Sequence, residues 1–345
     1  MRASRLTGLL KKSFLNHQRV LIVGKPGTGK TDLVHQVVEE LHADMVLMHP
    51  AISDPTDFKG MPALTNGGTE AHFLPFGDLS RLCKATKLMV AFQDDVGQAP
   101  PAVQAALMQL NLSRSVNGTR ISDKVVFVGA TNDTMHMSGV SGMIEPLKSR
   151  WDTIVTLDVS HDDWIDWALY NGMPAWLIAY IRTFPAALSE FKPTKELRNS
   201  PNPRGWAAVG KWSNINVNDL EVWTGTIGEA RAVEAYGYWM MHEQLPNIDN
   251  ILLDPKNAPV PEIVTITGPD GKARTFTATA VHIAIASALA NKATPGNFER
   301  VMTYMDRLAK EFSVFCVRDA IRRDKKLCAT KAFIAWSVKN QGVLM

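Results

Sequence analysis

Five short apolar runs punctuate the first 160 residues. They lie at 19–23, 45–48, 87–92, 125–128 and 154–157. Each is too short for a core helix and too uniformly apolar for a half-exposed strand, so each reads as a strand buried on both faces. Between them, 32–41 and 101–112 have helical spacing, the latter opening on a proline, and 4–17 reads as a short amphipathic helix. The alternation predicts an α/β fold built on a parallel sheet with helices on both faces. Residues 50–80 are rich in Pro, Gly and Asp; segments 61–64 and 70–76 flank Asn66-Gly67 and predict a hairpin.

The pattern changes near Asp158. Helices are predicted at 161–170 and 174–184, and a third is opened by Asn202 as cap with Pro203 in its first turn. A second hairpin is predicted from 263–266 and 274–277 around Gly268-Pro269-Asp270-Gly271, with further helices at 279–290, 296–312, 314–323 and 329–338. The expected organisation is an α/β nucleotide-binding domain at 1–158 with an insertion hairpin at about 57–79, a helical lid at 159–250, and a C-terminal extension with a β-hairpin and helices at 251–345.

The nucleotide expectation rests on Gly24-Lys25-Pro26-Gly27-Thr28-Gly29-Lys30-Thr31, a complete match to the phosphate-loop pattern G-x-x-x-x-G-K-S/T. A strand precedes it and an amphipathic helix follows, which is the context that gives the pattern a mechanism. Glycines let the backbone wrap a phosphate, and loop amides with the helix N-terminus face the anion. Lys30 is placed to neutralise the β- and γ-phosphates and Thr31 to ligate magnesium. Asp94-Asp95 ends a strand of the same sheet, so Asp94 is expected to hold magnesium through water and Asp95 to orient and deprotonate the attacking water. Asn132 ends the next strand, where an amide can hold that water or touch the γ-phosphate. Arg150 precedes the last strand and is expected to reach a neighbouring subunit's nucleotide; Arg114 and Arg120 are weaker candidates for that role. Arg204 lies in a helix's first turn, where the macrodipole disfavours a cation unless an anion is close.

Composition changes this picture little. Apolar residues make up 46% of the 345, and the formal charge of +3 does not by itself imply nucleic acid. Three cysteines (Cys83, Cys316 and Cys328) without paired spacing point to a reducing compartment. No apolar stretch has the length of a membrane span, and no histidine or cysteine spacing suggests a metal cluster. The expected location is cytoplasmic. Met135, Met137 and Met143 form either a client-gripping loop or loop filler. A basic set, Arg318, Arg322, Arg323, Lys325, Lys326 and Lys331, is either a solvated helix face or the footprint of a nucleic-acid motor.

Taken together these residues resemble the AAA+ ATPases, and within them the MoxR-like branch. Residues 24–31 match Walker A, 88–95 Walker B and 129–132 the first sensor; 147–151 resemble the arginine-finger segment, and 200–206 the second sensor of the lid. The stretch from Asp57 to Leu79 looks like the insertion in the second helix that marks this branch. The resemblance covers roughly 5–215. It implies a homo-oligomeric ring, a hexamer, that binds ATP with Mg2+ between subunits, hydrolyses it, and remodels or assembles a protein client. Members of this branch often work with a von Willebrand factor A domain protein, so such a partner is expected from the resemblance. Two departures stand out. Asp95 replaces the family's glutamate, and Gly97 and Gln98 replace its asparagine and arginine, so slow or partner-dependent hydrolysis is expected. A nucleotide-gated assembly switch is the alternative, and GTP stays open beside ATP.

Overall fold

The computed structural model describes residues 1–133, 142–192 and 197–340. The chain forms two compact units, Met1–Ser160 and His161–Met345.

The first unit runs α1 (Ala3–Leu15), β1 (Val20–Gly24), α2 (Lys30–Glu40), β2 (Asp44–Met48), α3 (Pro55–Lys59), β3 (Met61–Thr65), β4 (Glu70–Leu74), α4 (Gly77–Cys83), β5 (Met89–Gln93), α5 (Pro101–Ser113), β6 (Ser115–Val116), β7 (Thr119–Arg120), β8 (Val125–Asn132), α6 (Glu145–Lys148) and β9 (Thr153–Thr156). The five apolar runs form one wholly parallel sheet in the order β2-β5-β8-β1-β9.

Strand alternation sorts the apolar side chains to two faces. Val20, Ile22, Val90, Phe92, Val126 and Val128 meet Leu6, Leu10 and Phe14 of α1 and Val34 and Val37 of α2. On the other face, Leu21, Val46, Ala91 and Phe127 meet Leu79 and Leu82 of α4 and Val103, Leu107 and Leu110 of α5. The fold is therefore an α/β layered structure with helices on both sides of the sheet.

Between β2 and β5 the predicted hairpin forms with Met61 opposite Leu74 and Thr65 opposite Glu70. It is flanked by α3 and α4, two short helices that the Pro- and Gly-rich composition does not announce. The capping box of Asp54 and Asp57 starts α3, and Gly60 at φ 89° ends it against the Leu74 carbonyl. The hairpin's own large side chains are exposed, Leu64 and Phe73 among them.

The second unit contains α7 (His161–Tyr170), α8 (Ala175–Thr183), α9 (Pro203–Asn214), α10 (Leu220–Ile227), α11 (Glu229–Glu243), α12 (Ile248–Leu253), the hairpin β10 (Val264–Thr267) and β11 (Ala273–Phe276), then α13 (Ala278–Lys292), α14 (Phe298–Met305), α15 (Lys310–Arg323) and α16 (Lys331–Lys339). Helix α13 is buried almost all round, as its alanine-rich, nearly charge-free sequence requires, and packs on α8 and α15. Helix α8 is joined to α15 by the buried Arg182–Asp319 ion pair. The single helix expected at 296–312 is instead two. Three-residue bonds from Arg307 and Leu308 tighten its end, and Arg307 turns back to cover the Tyr304 ring and donate to the Pro255 carbonyl at 2.9 Å.

Candidate functional site

The loop from Gly24 to Gly29 leaves the carboxyl end of β1 and enters α2. Gly27 and Gly29 adopt φ of 72° and 88°, and Gly29 is the helix N-cap. Backbone of this kind is open to glycine and strained for most other residues. Gly24 is close-packed, with space for a Cβ ending 3.3 Å from the Leu157 carbonyl oxygen and the Thr28 hydroxyl. Thr28 in turn donates to the Lys25 carbonyl at 2.9 Å, and Pro26 and Gly27 form the loop's turn.

Strand register brings the remaining groups to this loop. Gly24 of β1 pairs with Asn132 of β8, and Gln93 of β5 pairs with Gly129. Lys30 is buried, 7% exposed, and its ammonium donates to the carbonyls of Gly24 at 3.0 Å and Lys25 at 3.1 Å and to Asn132 Oδ1 at 2.9 Å. The Thr31 hydroxyl donates to Asp94 Oδ2 at 2.7 Å, while Asp94 Oδ1 accepts the Asp95 amide at 3.0 Å. Asp95 Oδ1 accepts from Gln98 Nε2 at 3.0 Å and faces Asn132 Nδ2 at 3.4 Å. Lys30, Thr31, Asp94, Asp95 and Asn132 thus form one hydrogen-bonded set at the carboxyl edge of the sheet, the edge at which doubly wound folds bind ligands.

The paired hydroxyl and carboxylate of Thr31 and Asp94 are hard oxygen donors of the type that suits magnesium. The positive-φ glycines and the buried ammonium suit a polyphosphate.

Two other predicted residues are not members of this hydrogen-bonded set. Arg150 follows α6 and precedes β9, whose first residue, Thr153, pairs with Val20 at the start of β1. It therefore lies at the end of the β1–β9 pair opposite the phosphate loop, separated along the strand by about 13 Å. Its Nε is buried with no hydrogen-bond partner among the described residues. Arg204 is exposed in the first turn of α9, in the second unit, where Asn202 caps the helix by accepting from the Gly205 amide at 2.9 Å.

The weaker arginine candidates are otherwise engaged. Arg114 donates to the carbonyls of Ser122 and Val125 at 2.7 and 2.9 Å and covers the Phe127 ring, and burial lowers its pKa. Arg120 pairs with Asp123. The C-terminal basic set is also divided: Arg322 is paired with Asp166, and Arg323 is half-buried against the Met173 carbonyl. Lys325, Lys326 and Lys331 remain exposed. Met135 and Met137 lie outside the described residues. Among the described residues, no cluster of three or more metal-ligating side chains occurs, and no helix is long and apolar enough to cross a membrane.

Several contributors have only faint sequence signals. Gln93 ends an otherwise apolar strand, and Asn111 is a polar residue on the apolar face of α5. Both are fully buried and exchange amide bonds at 2.7 and 3.2 Å, which holds the residue before Asp94 in place. Arg19 extends this set, donating to the Asn111 carbonyl at 2.8 Å and to Asp152 at 2.6 Å. Gly97 sits so close to β8 that a Cβ there would come within 2.3 Å of the Thr131 hydroxyl.

Comparison with known proteins finds one family-model match, and it lies within the first unit. Residues 19–151 match the family model of the AAA domain, dynein-related subfamily. That span contains the loop, Asp94, Asp95, Asn132 and Arg150, and excludes Arg204. No curated protein matches the chain. Among solved structures, a candidate ATPase from Cytophaga hutchinsonii aligns at 16% identity and TM-score 0.33, over 45% of this chain and 46% of that one. The chain thus spans under half the length of that protein. The Thermotoga maritima RuvB Holliday junction branch migration motor aligns at 17% identity and TM-score 0.38, over 75% of this chain and 78% of its own. A variant of the same RuvB aligns at 15% and 0.40, over 88% and 86%.

Proposed function

We propose that the first unit binds ATP with magnesium and hydrolyses it, and that the chain works as a MoxR-like chaperone-type motor in the cytoplasm. In this reading it forms a homo-oligomeric ring, hexameric in the related branch, and remodels or assembles a protein client such as a von Willebrand factor A domain protein. The observation that carries the reading is the single hydrogen-bonded set joining Lys30, Asn132 and Asp95, with Thr31 on Asp94 beside it.

Each member has a task in phosphoryl transfer. Lys30 turns from the loop carbonyls to the β- and γ-phosphates. Asp95 takes a proton from the attacking water, and the Asn132 amide orients that water. Thr31 and, through water, Asp94 would hold magnesium, which would supply positive charge against the phosphate oxygens. Arg150, at the far end of its own sheet, serves a neighbour's nucleotide, and Arg204 is the counterpart of the resembled second sensor. Loss of the γ-phosphate frees these groups, and the exposed β3–β4 hairpin carries the resulting motion to a client.

Turnover of ATP and of GTP by the wild type and by Lys30→Ala tests this. The expected result is magnesium-dependent hydrolysis that Lys30→Ala abolishes; equal rates overturn it.

A second reading, a nucleotide-gated assembly switch, is favoured by the short Asp95 side chain, whose Oδ1 has two amides beside it. A large gain in turnover for Asp95→Glu supports the switch. The nucleic-acid motor loses support from the engagement of Arg322 and Arg323.

A further inference from the structure

We propose that Gln98 is the positioning residue of the Asp95 carboxylate, an inference that rests on the hydrolysis reading. Asp95 is a left-handed residue, φ 54° and ψ 34°, and the 3-10 turn Val96–Gln98 follows it directly. The Gln98 amide nitrogen of the backbone donates to the Asp95 carbonyl at 2.9 Å and closes that turn. Closure swings the Gln98 side chain back over Asp95, where Nε2 donates to Oδ1 at 3.0 Å. The other end of the amide, Oε1, accepts from the Thr131 hydroxyl at 3.2 Å. A carboxylate accepts only, so the amide nitrogen must face Asp95, and the hydroxyl of Thr131 fits the oxygen that remains.

Gln98 therefore bridges β8 to Asp95. Thr131 is the neighbour of Asn132, whose own amide lies 3.4 Å from the same Asp95 oxygen. Two amides anchored on one strand converge on one carboxylate oxygen, which fixes the rotation of a side chain one methylene shorter than glutamate. Gly97 makes this approach possible, because any Cβ there would collide with Thr131. Among the described residues the Gln98 side chain bonds to Asp95 and Thr131, and to none of Lys30, Thr31 or Asp94. Its loss should disturb turnover and leave nucleotide binding alone.

The test uses the full chain, with ATP turnover and ATP affinity measured for the wild type, Lys30→Ala, Gln98→Met and Gln98→Arg. Gln98→Met keeps the length and removes the donor; kcat is expected to fall about 10- to 100-fold, with KM and ATP affinity within about twofold of the wild type. Gln98→Arg returns a donor to Asp95 without an acceptor for Thr131 and should recover part of that loss. Thr131→Val removes the anchor alone and should lower kcat by a smaller factor in the same direction; it decides the matter if the methionine variant does not fold. An unchanged kcat in Gln98→Met, a parallel loss of kcat and ATP affinity, or an arginine variant no better than the methionine one overturns the proposal. Wild-type turnover no higher than that of Lys30→Ala overturns the hydrolysis reading and this proposal together.

Discussion

The Lys30 ammonium meets Asn132 Oδ1 at 2.9 Å because Gly24 and Asn132 are register partners on β1 and β8. The helix begins six residues after Gly24, so the lysine folds back over its own loop to the neighbouring strand. Asn132 then presents its nitrogen towards Asp95 at 3.4 Å. One amide thus lies between the proposed phosphate-binding cation and the proposed base.

Asn132→Ala separates those two roles. It removes one pre-aimed donor proposed to orient the attacking water, and kcat should fall about 100-fold or more. Lys30 keeps its two carbonyl partners, so ATP affinity should change less than tenfold. Equal losses in both quantities would mean that Asn132 acts only by holding the lysine.

Arg150 supports a test of the ring by mixing subunits. Its position at the end of β1–β9 away from the loop makes action within one subunit difficult. Arg150→Ala should bind ATP normally and lose about 10³-fold or more in turnover. Lys30→Ala should lose its own site and still offer Arg150 to a neighbour. Mixing these two inactive proteins should restore a measurable fraction of wild-type turnover. A mixture as inactive as its parts would remove the trans role of Arg150.

Gly97 was legible only as a departure from the resembled pattern, and its cause is spatial. Gly97→Ala pushes a methyl to within 2.3 Å of Thr131 Oγ1, and relief requires the turn bearing Asp95 to shift. The expected cost is about 1–3 kcal/mol of stability, as for other overpacked sites. Adding Thr131→Ala should restore most of the melting temperature. If the double variant melts no higher than Gly97→Ala alone, the collision is not the cause.

What the sequence discloses divides by the range of the interaction. The phosphate loop is legible because its chemistry is local: glycines at positive φ, a lysine and a threonine opening a helix. The five strands are legible because burial on both faces leaves continuous apolar runs. Gln98 with Thr131, and Gln93 with Asn111, are invisible in that way, since each pair meets only after strands and helices have packed. Arg114 shows the converse. It looks like an available cation in the sequence, and the fold uses it to bind two carbonyls and cover Phe127. The hairpin at Ser115–Arg120 has its signal in Asn117-Gly118, but two-residue strands are too short to show alternation.

Arg19 and Asp152 give the first unit an acid-sensitive tie. The Arg19 side chain and backbone amide donate to the Asp152 carboxylate, and the side-chain bonds hold its pKa below the usual carboxylate range. A carboxyl depressed in the folded state adds stability above its unfolded pKa of about 3.9 and loses it as pH falls through the lower folded value. Asp152 is 29% exposed, so solvent screening limits the contribution to about 1 kcal/mol. Asp152→Asn should therefore lower the melting temperature at pH 7 by about 2–4 °C. The difference should shrink below about pH 4 and vanish once both states are protonated. Melting curves of the two proteins from pH 7 to pH 3 check this, and a gap of constant size would show that the charge on Asp152 contributes nothing.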